Sequence, residues 1–140
     1  MTMNMEEQAA LDVVRSFLDS YSKRDVEACM SLISASEPFL LLGTNDDEVF
    51  RSSQEVRAAF RRDFENMTDI RWGGHRNVHV QVAPTLASVF IELPISYRSE
   101  GKEVGALFRY ALSLVKEGAQ WKISAGMASV PFASGTYAFT

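Results

Sequence analysis

Val89-Phe90-Ile91-Glu92-Leu93-Pro94-Ile95-Ser96-Tyr97 decides the fold. Val89, Ile91, Leu93, Ile95 and Tyr97 alternate with Phe90, Glu92 and Ser96, which is the period of a strand with one buried face. The same period extends outward. Val78, Val80 and Val82 alternate with Asn77, His79 and Gln81 before it. After it come Val104, Ala106, Phe108, Tyr110, Leu112 and Leu114, interleaved with Arg109 and Ser113, and then Trp121 and Ile123. Pro84-Thr85, Glu100-Gly101 and Gly118-Ala119 are turn signals between these runs. The pattern predicts four long strands in an antiparallel meander.

Upstream the period is that of a helix. Leu11, Val14, Leu18 and Tyr21 recur at spacings of three and four beside Phe17, predicting an amphipathic helix over Met5 to Lys23. Asp25 reads as the N-cap of a second helix from Val26 to about Ile33, broken by Ser34 to Pro38. Phe39 to Leu42 reads as a short strand ended by Gly43, and Val49 to Arg51 as a brief second one. Ser52 and Glu55 have capping-box spacing ahead of a third helix carrying Val56, Phe60, Phe64 and Met67 and ending near Thr68. Helices followed by a long antiparallel sheet give the α+β class, one domain over residues 1–140 with three helices on one sheet face.

A two-residue loop at Glu100-Gly101 pairs Arg98 with Glu103 and so places Glu92 opposite Arg109. The same reasoning around Pro84-Thr85 puts Asn77 opposite Glu92. One face then carries Asn77, Glu92 and Arg109 among small residues such as Ala111, Ser124, Gly126 and Ala128. The other face carries the Val, Ile, Tyr and Phe set and is the one the helices cover.

Composition narrows the function. The 140 residues carry 14 basic and 18 acidic side chains, a net charge of −4, which lacks the basic stripe that nucleic acid requires. The lone Cys29 lies among Ala28, Met30, Leu32 and Ile33 and reads as a packing thiol. Residues 1–8 show no basic-then-apolar leader, and the apolar run Phe39 to Leu42 is far shorter than the roughly 20 residues of a membrane span. We therefore expect a cytoplasmic protein without a membrane or nucleic-acid partner.

Two strings now resemble one family: Leu42-Gly43-Thr44-Asn45-Asp46-Asp47-Glu48 before a helix, and a closing hairpin of Arg109 to Lys116, then Trp121-Lys122-Ile123 and Ser129-Val130-Pro131. With the element order, they make nearly the whole chain similar to the SnoaL-like branch of the NTF2-like, or cystatin-like, superfamily. The resemblance implies a strongly curved sheet forming a cone around a deep apolar pocket, usually in a homodimer. The chain departs from relatives that place a histidine on the last strand, because Met127 stands there, with Ala125 at a second position that is often polar. Ketosteroid isomerases need a carboxylate base near the first strand and an acid on a later one. Neither Phe39 to Leu42 nor Val104 to Leu114 contains a carboxylate.

Candidate site residues follow. Trp72, Tyr97, Phe108, Tyr110, Met127 and Tyr21 converge on the inner face as a ligand-binding set, the tyrosines able to orient a ligand by hydrogen bonds. Asp46, from the acidic cluster, and His75, which follows Gly73-Gly74, are the candidate catalytic groups, against the plainer readings of a solvated turn that caps a helix and a surface or strand-edge histidine. His75 and His79 are four apart, which in a strand separates them by about 13 Å, and no carboxylate or thiol joins them, so neither a metal nor another cofactor is expected. Glu92, Arg109, Ala128 and Val130 form the expected dimer surface, and the tail Gly135 to Phe139 is a further candidate contact. Three readings stand: a homodimer that binds a small, mostly apolar organic molecule; an isomerase, cyclase, hydratase or hydrolase using Asp46, His75 and a pocket tyrosine; or an association domain.

Overall fold

Each helix begins on a side chain that accepts free backbone amides. Asn4 takes the Glu7 amide at 2.8 Å while Glu7 accepts the Asn4 N–H at 2.9 Å, a capping box that starts α1 (Met5–Ser22). Asp25 accepts the Ala28 amide ahead of α2 (Val26–Met30), and Ser52 accepts that of Glu55 ahead of α3 (Ser53–Asn66). The computed structural model describes residues 2–137. Its strands are β1 (Leu40–Leu42), β2 (Val49–Phe50), β3 (Thr68–Trp72), β4 (Arg76–Val82), β5 (Leu86–Ser99), β6 (Lys102–Glu117) and β7 (Gln120–Ser129).

The strands form one sheet in the order β2-β1-β7-β6-β5-β3, and β4 also pairs with β5. All pairings are antiparallel except β1 with β7. The second helix ends earlier than the sequence pattern suggests, because Ile33 leaves it to bridge Ile123. Ile123 N–H donates to Leu32 O at 2.9 Å, and Ser34 N–H donates to Ile123 O at 2.8 Å.

The β5–β6 register agrees with the expected one throughout, from Leu86 opposite Val115 to Ser99 opposite Lys102, with Glu92 opposite Arg109. Positive φ values of 51° at Glu100 and 75° at Gly101 turn the chain in the sense that matches the twist of its strands. Two expected registers need correction, and in both the cause is a bulge. In β4 the register shifts between Arg76 and His79, with Asn77 at φ 53°, so Arg76 rather than Asn77 stands opposite Glu92.

In β7 the register shifts by one between Ile123 and Ala125. Ala128 then lies opposite Tyr110 on the inner face, and Met127 opposite Ala111 on the outer one. Gly126, at φ 143°, permits this crossing, since a Cβ there would stand 2.2 Å from Ala111 O.

The helices cover the inner face. One buried cluster joins Leu11, Val14 and Phe17 of α1 and Val56, Phe60 and Phe64 of α3 to Val89, Ile91, Leu93, Leu114 and Ile123 of the sheet. Each fully buried aliphatic side chain contributes about 1.5–3 kcal/mol. Cys29 belongs to this cluster, and burial, helped by the Asp25 charge, pushes its thiol up to about 12, away from nucleophilic use. No helix among the described residues is long and apolar enough to cross a membrane.

Candidate functional site

The helical stripes that face the sheet are apolar with two exceptions. On α1 the row Val14, Phe17, Leu18 ends in Tyr21; on α3 the row Val56, Ala59, Phe60, Phe64, Met67 includes Asp63. Both exceptions border a cavity of about 300 Å³ enclosed by α1, α3, the inner face of β5 to β7 and the β1–β2 loop. Its walls are chiefly Phe17, Phe60, Ile95, Phe108, Leu112 and Leu41, with Tyr97 and Tyr110 among them.

Tyr21 Oη donates to Asp63 Oδ2 at 2.9 Å. Burial pushes the Asp63 carboxyl above its ordinary range, although the Tyr21 bond and the Arg62 guanidinium, 3.8 Å away, act the other way. Burial first, and then the Asp63 charge, likewise raise Tyr21. Burial also raises Tyr110, with the Asp63 charge next in importance, so the three groups feel one another across the cavity. Among the described residues, the Tyr97 and Tyr110 hydroxyls have no hydrogen-bond partner, yet neither is sealed from solvent-accessible space. Tyr110 is held instead by ring contacts with Phe17, Trp72 and Phe108, at 6.5, 6.1 and 5.9 Å.

The β1–β2 loop forms the mouth. Glu48 folds back beneath it. Its carboxylate accepts the Asn45 N–H at 2.8 Å and pairs with Arg62 at 3.2 Å, while its stem lies against Gly43. Glu48 is thus the member of the acidic cluster that reaches the cavity.

Tyr21, Tyr97, Phe108 and Tyr110 line this cavity. Met127, 45% exposed, lines the cavity at its rim, and the bulge brings Ala128, expected at the outer face, to the wall beside it. Trp72 stands behind Tyr21 and Tyr110, its indole N–H donating to Leu18 O at 2.9 Å, and borders a different groove.

The catalytic pairing of Asp46 with His75 is not formed. Asp46 is exposed on the loop and does not line the cavity. His75 lies in the groove on the far side of Trp72, 3.0 Å from Arg15. The loop turns Asn45 and Glu48 inward and leaves Asp46 at its tip, and the Gly73-Gly74 break carries His75 toward α1.

Asp63 was the residue that sequence reasoning missed. Its signal was a single charge within an otherwise apolar helical stripe. Asp63 with Tyr21 and Tyr110 supplies a desolvated carboxyl and phenol hydroxyls in an apolar chamber, a set that can grip or exchange a proton with one polar atom of a guest.

On the outer face Glu92, 6% exposed, accepts from Arg109 Nε at 2.6 Å, Arg76 Nε at 2.8 Å and Asn77 Nδ2 at 3.1 Å. The Arg109 bond is the chief reason its carboxyl sits below the ordinary range. Phe90 and Met127 flank this cluster, 51% and 45% exposed, and Val130 is 45% exposed beyond the end of β7. The expected tail contact falls partly outside the described residues, at Ala138 and Phe139.

Among solved structures the chain is similar to a ketosteroid isomerase-like protein from Erwinia carotovora atroseptica (TM-score 0.79, 16% identity, 94% of this chain and 100% of that one). It is also similar to an NTF2-like protein from Cytophaga hutchinsonii (TM-score 0.74, 18% identity, 92% and 100%). A third likeness is to an NTF2-like protein of unknown function from Pseudomonas putida (TM-score 0.76, 14% identity, 96% and 94%). At these identities they establish the NTF2-like fold alone. No curated protein matches the sequence. The model of the SnoaL-like domain matches residues 10–133, which is most of the chain and includes every side chain of the cavity described above. The chain belongs to the SnoaL-like family.

Proposed function

We propose that the chain binds a small, mostly apolar organic molecule in its cone cavity, oriented by one hydroxyl or carbonyl group of the guest. The observation that carries this reading is the Tyr110 hydroxyl, which borders the cavity without a protein partner and feels the Asp63–Tyr21 pair. An apolar chamber with a few convergent polar groups is the usual form of a small-molecule site. The test is native mass spectrometry of gently purified protein, combined with thermal shift against one- and two-ring phenols and ketones. The expected result is a retained or added small mass and a raised Tm, both lost in Tyr110→Phe. An empty protein that no phenol or ketone stabilises overturns the reading.

A second reading, an enzyme of proton transfer on such a guest, rests on Asp63. Burial keeps its carboxyl nearer the protonated form than an exposed aspartate, which suits a group that takes and returns a proton. Likeness to a ketosteroid isomerase-like protein accords with this but cannot carry it at 16% identity. Turnover of a bound ketone that survives in Asp63→Asn excludes Asp63 as the proton carrier.

The same proposal includes a homodimer. Phe90 and Met127 beside the Glu92 cluster, with Leu40 and Leu86 at 36% and 53% exposure farther along the same face, make apolar surface that a second copy would cover. Sedimentation at micromolar concentration should give a dimer, and Phe90→Lys should return monomers. A monomeric wild type removes this part of the proposal.

A further inference from the structure

The wall of the cone cavity carries ionisable groups of one kind. Two carboxylates, Asp63 and Glu48, line it, and among the described residues no lysine, arginine or histidine does. The two share Arg62, which pairs with Glu48 at 3.2 Å and stands 3.8 Å from Asp63. Arg62 itself is 54% exposed and borders a separate outer cleft with Asp47 and Asn66, so it approaches the carboxylates from the solvent side. One cation between two ionised carboxylates leaves one negative charge unmatched.

Asp63 has room for a further donor. Its Oδ2 accepts from Tyr21 Oη at 2.9 Å, whereas among the described residues Oδ1 takes no hydrogen bond. A carboxylate offers about four lone-pair positions, so a donor inside the cavity finds an acceptor there. Burial is the main reason the Asp63 carboxyl lies above its ordinary range; the Glu48 charge adds to it, and Tyr21 and Arg62 oppose it. From β6, Tyr110 feels the same charge. A cation placed beside Asp63 relieves the penalty of burial, and an anion placed there meets only like charge.

The walls favour the same guest. Phe17, Tyr21, Phe60, Tyr97, Phe108 and Tyr110 line the cavity. Phe17, Tyr21 and Phe60 lie within 6.2 Å of one another, centroid to centroid, on the side where Tyr21 reaches Asp63. Aromatic rings present a negative face, which draws an ammonium group. The net charge of −4 acts in the same direction at longer range.

We propose that the guest of this cavity is a small aromatic amine, its ammonium held at Asp63 and its hydroxyl or carbonyl group at Tyr110. The inference rests on the reading of the cone cavity as a small-molecule site and adds the chemical class of the molecule.

Tyramine, tyrosol and 4-hydroxyphenylacetate share a phenol and end in a cation, a neutral hydroxyl and an anion. Each is titrated into the full chain by calorimetry at neutral pH. Tyramine should bind about tenfold or more tightly than tyrosol, and 4-hydroxyphenylacetate about tenfold or more weakly than tyrosol. In Asp63→Asn no advantage of tyramine over tyrosol should remain. In the unaltered chain the advantage should shrink as acid protonates Asp63, because the alkylammonium keeps its charge throughout. Tyrosol binding as tightly as tyramine overturns the amine and leaves the cavity reading in place. If none of the three binds, the cavity reading falls and the amine with it. An advantage that survives in Asp63→Asn, or that acid does not change, overturns the placing of the ammonium at Asp63.

Discussion

The ribbons β5–β6 and β6–β7 share a strand and obey different rules. The first keeps one register along its whole length, so the face of every side chain follows from its turn at Glu100-Gly101. The second begins in an equally regular way at Gly118-Ala119 and then slips by one residue past Ile123. Because side chains alternate with a period of two, that slip exchanges the two faces for the rest of the strand. The regular ribbon supplies the scaffold, with Glu92 and Arg109 paired across it. The slipped ribbon decides what the cavity sees, a methyl group at Ala128 on the wall and the Met127 thioether only at the rim. Regular pairing builds this fold, and one irregularity next to the cavity shapes its site.

The largest effect should come from testing whether the slip is obligatory. Gly126→Val puts a branched side chain at φ 143° and against Ala111 O, and should cost about 3–4 kcal/mol in denaturant unfolding. Gly105→Ala, in the regular ribbon, places its Cβ no nearer than 3.8 Å to Ile95 O and should stabilise by about 0.4–1 kcal/mol. Equal responses at the two glycines would erase the distinction.

Exchanging the faces comes next. Ala128→Leu should fill part of the cavity and weaken binding of a phenol guest by about tenfold, or 1.4 kcal/mol by calorimetry. Met127→Leu should leave affinity unchanged and cost less than about 1.5 kcal/mol of stability. The opposite ranking would mean that Met127, not Ala128, faces the guest.

A smaller change, of the opposite sign, is expected at Asp63. Its carboxyl is raised in the folded state, so over the window above the ordinary carboxylate range the native chain holds a proton that the unfolded chain releases, and stability falls as pH rises. Asp63→Asn removes that loss while keeping an acceptor for Tyr21. It should raise Tm at neutral pH, with the gain vanishing in acid, and should abolish guest binding or turnover. A variant that loses stability would assign Asp63 to the scaffold.

The smallest effect belongs to Glu92. Its folded carboxyl lies below the ordinary range, chiefly through Arg109, so its contribution is present at neutral pH and lost as pH falls through the lowered value. Glu92→Gln should lie below wild type in Tm at neutral pH, the two curves meeting in strong acid. Parallel curves would remove the cluster from the acid response.

How far the sequence could be read follows from the same contrast. Strict alternation from Val89 to Tyr97 and from Val104 to Leu114, with a glycine turn between, made the β5–β6 pairing legible to the residue. The bulges at Asn77 and near Ala125 were not legible, because short polar or small side chains fit either phase. Asp63 was concealed for another reason. Its neighbours Phe60 and Phe64 drew the stripe, and a charge inside an apolar row looks like noise until Tyr21 is found 2.9 Å away. Of the two places open to His75, the pocket mouth and the strand edge, local composition does not choose; the Gly73-Gly74 break sends it to the far side of Trp72.

The broken sheet edge has one more consequence. β2 offers two residues at one end of the sheet, and at the other β3 and β4, five and seven residues long, are parted at Gly73-Gly74 and bent again at Asn77. Arg71 and Arg76 stand at the two sides of that break. A strand from another molecule therefore finds no long, straight row of free amides to copy, and charge repels a second edge of the same kind. Templated growth of the sort that ends in fibrils is disfavoured at both margins of the sheet.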